Sequence, residues 1–244
     1  MLAGLGSACA RSPAPSAAAA ADDWSGRYRT DLAHSNAVLE LRESRFVHRM
    51  STCAGPIESE GRVEDRGDHA LLRPTADEHG FVPPALRDPL WWKVRWGPYR
   101  FLVPDASLPD FCSDALDRFP LGRSAYLRDD PAWDVGRLPA GGPDVPEPYR
   151  GHLAALPIVT SVQAVLDQPG GQVLELDAGT GEGVLVGSRF WLGGPRGSAV
   201  VTDVDESRSR AVVRWAFEPI RVGTPATTSF GRRHSRPEKS TQSE

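Results

Sequence analysis

The sequence has few cysteines, no long hydrophobic run and no large excess of charge of either sign. Three cysteines in 244 residues are too few for a disulfide-rich scaffold. No stretch approaches the roughly 18 consecutive apolar residues that a membrane-spanning helix needs. The formal net charge is -4, and no stripe of Lys and Arg interleaves with aromatic residues, so nucleic acid is not an expected partner.

The sequence also lacks the common signatures of catalytic and metal sites. None of the six histidines is paired in a His-x-His or His-x-x-x-His pattern, so a zinc site has no sequence support. Neither a Gly-x-Ser-x-Gly nucleophile elbow nor a phosphate-binding Walker loop occurs. We therefore expect no metal, no cofactor and no catalytic residues, which favours a non-enzymatic protein.

Proline, in contrast, is plentiful. The chain has 22 prolines in 244 residues, whereas about 5% is usual. Proline ends helices and is excluded from central strands, so we expect short elements joined by many loops.

The segment LWWKVRWGPYRFLVP, residues 90–104, carries the clearest strand pattern. Trp92, Val94 and Trp96 fall at every second position, which predicts a β-strand with one apolar face. The aromatic cluster of this segment is our candidate for binding a small apolar ligand, and it comprises Trp91, Trp92, Trp96 and Tyr99. The alternative is that these rings fill a small barrel, as side chains usually do.

Residues 22–145 are predicted to form a first β-domain that ends in a Pro- and Gly-rich connection. Its short alternating runs are separated by turn signals, which favours antiparallel strands. Its motifs in order are Trp24-Ser-Gly-Arg-Tyr28, the strand with Leu39 and Leu41, Phe46, Cys53-Ala-Gly55 and Gly67-Asp68. In outline they resemble the small lipocalin-like β-domains of exported bacterial proteins. The resemblance implies a β-barrel and keeps open a binder of a small apolar ligand.

Residues 150–228 are predicted to form a second small β-barrel. Within it, residues 199–204 and 211–217 are expected to pair as a hairpin across the polar residues 205–210. A Val/Leu strand is followed by a Gly-x-Gly-Val-x-x-Gly turn and two Val-rich strands. This order is similar to the β-domains of cell-envelope assembly proteins such as the rod-shape protein MreC, and to β-barrel modules of flagellar accessory proteins. The similarity implies an architecture and no particular partner.

Residues 172–183, QVLELDAGTGEG, resemble motif I of class I S-adenosylmethionine methyltransferases. The resemblance implies a cofactor site at Asp177, Gly179, Gly181 and either Asp203 or Asp205. However, the residues after the loop are β-branched and interrupted by glycine, which predicts strand and turn where the motif requires a helix. Only 39 residues follow Asp205, too few for the remaining βα units. A methyltransferase is therefore the weaker alternative.

The N-terminal residues indicate export. Residues 1–21 are rich in Ala, Ser, Gly and Pro, and are typical of an export leader or a disordered tether. Leu5-Gly-Ser-Ala-Cys9 resembles a bacterial lipobox, which implies lipidation of Cys9, while residues 17–21 alternatively resemble a signal-peptidase site. Cys53 and Cys112 then remain, either as a disulfide formed in an oxidising compartment or as two buried free thiols. Residues 229–244 are predicted to be a polar disordered tail.

Together these patterns predict a mainly β protein with two small antiparallel barrel or meander domains and one or two short helices. We expect a non-enzymatic exported protein of the cell envelope, periplasmic or anchored to the membrane by a lipid, that acts as an interaction or structural module. Its expected partner is an envelope protein, with a small apolar ligand as the alternative. Contact with the membrane is expected only through the lipid anchor.

Overall fold

The computed structural model describes residues 23–32, 35–52, 55–76, 82–83, 86–117, 125–129, 139 and 141–229. Over these residues the chain is mainly β, with two closed antiparallel barrels and two short α-helices, which confirms the predicted fold class. The predicted leader with Cys9, the tail from residue 230 onward and Cys53 lie outside the described residues. Neither described helix combines the length and the hydropathy that spanning a bilayer requires.

The first barrel is a meander of eight strands. They are β1 (Gly26–Leu32), β2 (Ser35–Arg42), β3 (Arg45–Thr52), β4 (Gly55–Asp65), β5 (His69–Pro74), β6 (Leu90–Trp96), β7 (Tyr99–Pro104) and β8 (Tyr126–Arg128). Each strand pairs with the next in the sequence, and β8 pairs with β1 to close the barrel. The aromatic segment 90–104 therefore forms one hairpin, β6 and β7, within this wall.

Tight turns and a tryptophan close one end of the first barrel. The Trp24 indole is buried there, and the Tyr28 hydroxyl donates a hydrogen bond to the Trp24 carbonyl (2.9 Å). Three cations, from Lys93, Arg95 and Arg100, lie 5.8–5.9 Å from the centre of the Trp24 ring. Such cation–π contacts each stabilise a fold by about 0.5–1 kcal/mol at partly exposed sites. Strands β6 and β7 thus supply the cations that contact the Trp24 ring.

The second barrel has six strands. They are β9 (Val159–Gln168), β10 (Gly171–Leu176), β11 (Arg189–Leu192), β12 (Gly197–Val204), β13 (Ser209–Ala216) and β14 (Pro225–Thr227). Strands β11, β12 and β13 are sequential neighbours and β14 returns to lie beside β11, which is a Greek-key arrangement. The hairpin expected across residues 205–210 is confirmed as β12 and β13.

Two helices lie between the barrels: α1 (Leu108–Asp117) and α2 (Tyr149–Ala155). The Phe111 ring of α1 packs on Phe101 of β7, with 5.3 Å between ring centroids. The outward apolar face of β6 and β7, both helices and the interior of the second barrel form one continuous buried cluster. Asp110 of α1 also pairs with Arg189 of β11 at 2.5 Å. The two barrels are therefore joined by packing as well as by the chain.

The predicted disulfide between Cys53 and Cys112 is not supported by the structure. Cys112 is a free thiol that is fully buried in α1, and burial raises its pKa to about 12. Cys53, the other member of the predicted pair, lies outside the described residues. The alternative of a buried free thiol is confirmed for Cys112.

Candidate functional site

The four aromatic residues suggested as a ligand site are divided between two faces of the sheet. Trp91 lies on the inner face of β6 and is fully buried. Trp92, Trp96 and Tyr99 lie on the outer face and pack against the cluster that the two barrels share. They therefore do not line one cavity, and only Trp91 faces the interior of the first barrel.

The two outer tryptophans have structural partners. Trp92 Nε1 donates a hydrogen bond to Asp105 Oδ1 (2.7 Å), and Trp96 Nε1 donates to the Gly141 carbonyl (3.0 Å). Asp105 Oδ1 also accepts a hydrogen bond from the Tyr149 hydroxyl (3.0 Å). These bonds fasten the connection between the barrels to the outer face of β6.

A polar pair lies inside the first barrel. His48 Nε2 is 2.9 Å from the Tyr126 hydroxyl, and both side chains are buried. Burial lowers the pKa of His48 to about 4, so its ring is neutral near pH 7, and its Nδ1 has no hydrogen-bond partner among the described residues. Tyr126 belongs to one buried cluster with five fully buried side chains: Tyr28, Leu39, Leu72, Trp91 and Leu102. This packing favours the filled barrel over the ligand-binding barrel.

The glycine-rich loop that resembles a methyltransferase motif uses its backbone N–H groups for hydrogen bonds within the protein. Every backbone N–H from residue 179 to residue 184 has an internal acceptor. The acceptors are the Glu182 carboxylate, the carbonyls of Asp205 and Glu206, and carbonyls of the loop itself. None of these six N–H groups is left to bind a cofactor. The loop also follows a strand of an antiparallel barrel, whereas the methyltransferase motif belongs to a parallel sheet.

The turn between β12 and β13 explains the glycine at position 179. A Cβ on Gly179 would lie only 2.6 Å from backbone atoms of Glu206 and Arg208, so no larger residue fits. Asp205 Oδ1 accepts the backbone N–H groups of Ser207 (3.0 Å) and Arg208 (2.7 Å), which makes Asp205 a turn-forming residue. The other acids that the motif suggested, Asp177 and Asp203, are exposed.

Helix α2 contacts the opposite side of the same loop. Gly183 has a φ of +85°, and a Cβ there would lie 2.5 Å from Ala155 of α2. Its carbonyl is 2.7 Å from Nδ1 of the buried His152, which completes the contact. The glycines of this motif therefore hold the loop against its neighbours.

The second barrel carries an aromatic strip that the sequence analysis did not single out: Trp191, Trp215 and Phe217. Trp191 and Trp215 flank Ser198 in one row across β11, β12 and β13. Their ring centroids are 6.3 Å apart, and those of Trp215 and Phe217 are 5.0 Å apart. Trp215 is 40% exposed and Phe217 is 81% exposed. Exposed rings in mutual contact are typical of an interaction surface.

A β-bulge places this strip on the outside of the barrel. A strict period of two would put Val213 and Trp215 on the same, inner face of β13. In the structure Val213 pairs with Ala199 and Trp215 pairs with the adjacent Ser198, so Arg214 is an extra residue in β13. The inserted residue reverses the direction of the side chains that follow it. Alternation in the sequence carries no signal for a bulge, and this is why the strip was missed.

A cleft of about 440 Å³ lies beside the strip. The turn after β11 and residues 218–225 form its walls. Its apolar groups include Leu192, Ile220 and Pro225, and its charged groups are Arg196, Glu218 and Arg221. The backbone N–H of Phe217 donates to the Arg196 carbonyl (2.8 Å), so the strip leads directly to the edge of the cleft. A concave site of this size beside exposed rings is the best candidate functional site among the described residues.

Comparisons of the chain with protein-family models, with curated proteins and with solved structures found no match. The strip and the cleft are therefore the features that point to a function.

Proposed function

We propose that this chain is a non-enzymatic exported protein of the cell envelope that acts as an interaction module and docks a partner on its second barrel. The observation that carries the proposal is the aromatic strip, where Phe217 is 81% exposed and contacts the half-exposed Trp215. A partner that covers these rings removes apolar surface from water, which stabilises the complex by roughly 25 cal/mol per Å². Tryptophan, arginine and other large side chains are also the usual anchors of protein interfaces.

The rigidity of the strip supports docking. Trp191 lies in β11 and Trp215 in β13 of a closed barrel, Phe217 follows β13 directly, and the shared cluster with α1 and α2 holds that barrel against the first one. A surface that is already ordered loses little conformational entropy when a partner binds. The first barrel then acts as the structural body that supports the docking barrel.

Export is the second part of the proposal, and it rests on the leader, residues 1–21, with Cys9 as the lipid site. The buried free thiol of Cys112 removes the disulfide as an argument for an oxidising compartment. The Ala- and Pro-rich residues after Cys9 would act as a tether between a lipid anchor and the barrels.

Intact-mass measurement on protein isolated from its native host, with the gene's own upstream sequence kept, tests export. We expect a chain that begins at Cys9, carries added acyl mass and is found in the envelope fraction. A full-length chain in the cytosolic fraction would contradict this part of the proposal.

Capture from envelope extracts tests docking. Phe217→Ser removes the most exposed ring, and Leu166→Ser is the matched control because Leu166 is a 40% exposed apolar residue near the far end of β9. We expect wild type and Leu166→Ser to retain the same envelope protein and Phe217→Ser to lose it. Equal capture by all three chains would argue against docking through the strip.

A further inference from the structure

We infer that the partner is a protein that presents an apolar anchor flanked by carboxylates, which the aromatic strip and the adjacent cleft receive together. The inference rests on the proposed docking function and names the chemistry of the partner. It follows from the charges around the cleft and from the geometry of the rings.

The cleft and the end of the strip carry more positive than negative charge. Arg196 pairs with Glu218 at 3.1 Å, and both side chains are more than 60% exposed, so each remains open to an additional partner. Arg221 also lines the cleft and has no ion pair among the described residues. Two guanidinium groups beside one carboxylate complement an acidic segment, and Arg binds carboxylates with two parallel hydrogen bonds.

The apolar part of the site has room for one or two side chains. Leu192, Ile220 and Pro225 form apolar walls in a cleft of about 440 Å³. The exposed Phe217 ring stands at its edge, because its backbone N–H is bonded to the carbonyl of Arg196 in the cleft wall. An apolar anchor of the partner would therefore be covered by Phe217 and the walls, while its flanking carboxylates meet the arginines.

Two other partner classes fit the site less well. The ring planes are inclined by 64° between Trp191 and Trp215 and by 54° between Trp215 and Phe217, so they form no flat platform on which sugar rings would stack. A flat anionic bilayer presents no single apolar anchor that could enter a concave cleft of about 440 Å³. A protein segment, which combines anchors and charges at chosen positions, matches both features.

Selection from a random peptide library displayed on phage tests the inference with the full chain as the target. We expect the enriched peptides to carry Asp or Glu on both sides of Phe, Leu or Trp. A synthetic copy of an enriched peptide should bind about tenfold more weakly to Phe217→Ser and to Arg221→Glu, and equally well to Leu166→Ser. Because Phe217 and Arg221 are exposed, far-ultraviolet circular dichroism should show that both variants are folded.

Several results would overturn the inference. They are an absence of enrichment, enriched peptides without acidic residues, and equal binding to both docking variants. Sedimentation of the chain with phosphatidylglycerol vesicles, or binding to chitin oligosaccharides, that Phe217→Ser abolishes would assign the strip to a membrane or a glycan instead. If Phe217→Ser still loses an envelope protein while the peptides prove non-acidic, the proposed function stands and only the partner chemistry is wrong.

Discussion

His48 is fully buried inside the first barrel, with the Tyr126 hydroxyl as its hydrogen-bond partner. Burial lowers its pKa from 6.5 to about 4. Between these two values the unfolded chain binds a proton that the folded chain does not, so the free energy of unfolding falls as the pH decreases. The fall in the free energy of unfolding begins near pH 6.5 and is complete near pH 4. His48 contributes up to about 3 kcal/mol of that fall.

Urea unfolding of wild type and His48→Gln across this pH range measures that contribution. The glutamine keeps a polar side chain beside Tyr126 and takes up no proton. We expect wild type to lose more stability than the variant as the pH falls, since the contributions of all other titrating groups are common to both. If the free energy of unfolding changes equally with pH in the two chains, His48 is not the buried group that lowers the stability at low pH.

Among single residues, the state of the Cys112 thiol could not be predicted from the sequence. Its burial was one of two alternatives that the cysteine count left open, and the deciding information is the position of α1 on β7. The place where α1 packs depends on the closed first barrel and on the second barrel beside it. No local pattern around Cys112 reports that packing.

At the scale of elements, the alternation of β6 was the most informative pattern in the chain. It predicted an apolar face with Trp92, Val94 and Trp96, and that face is buried against α1 and the second barrel. The same alternation did not reveal that the other face, with Trp91 and Lys93, points into the first barrel. A barrel strand has two buried faces only where the barrel is also covered from outside, which is a tertiary property.

The loop between β10 and β11 gives a second prediction. Gly179→Ala should destabilise the fold by about 2 kcal/mol or more, because its Cβ meets backbone atoms that have little freedom to move. Gly170→Ala is the matched control, since a Cβ there has no neighbouring atom within 4 Å and Gly170 does not have a positive φ. Thermal or urea unfolding of both variants measures the difference. Equal stability of the two variants would mean that the loop does not pack on the β12–β13 turn as described.

The bulge at Arg214 is the feature of these elements that could not be predicted from the sequence. The hairpin of β12 and β13 was predicted correctly from its Val-rich strands and polar turn. The face to which Trp215 points depends on one unpaired residue, which leaves the composition and the alternation unchanged. The proposed docking surface therefore lies at the point where the regular pattern ends.

The stability of the whole molecule depends on the contacts between its two barrels. Arg189 of β11 and Asp110 of α1 form a partly buried pair at 2.5 Å, and burial raises the pKa of Asp110. Arg189→Met should destabilise the protein by about 2 kcal/mol, because it leaves a carboxylate that is largely removed from water without its nearest cation. The loss should be smaller than for a deeply buried pair, since both side chains keep some contact with solvent.

Urea unfolding of Arg189→Met and Arg210→Met measures the role of that junction. Arg210 pairs with Glu175 at 3.3 Å within the second barrel, and its side chain is 58% exposed. We expect the Arg210 variant to change stability much less than the Arg189 variant. The same loss of stability in both variants would show that the pair between the barrels contributes no more than an exposed pair within one barrel.

Photo-crosslinking in the native host tests the central claim most directly. A benzoylphenylalanine introduced at Phe217 places a reactive group in the centre of the proposed docking surface, and the same group at Leu166 is the control. We predict that illumination joins the chain to one other protein in the envelope fraction through position 217 and not through position 166. A chain that stays free at position 217, or that forms the same adducts at both positions, would contradict the account.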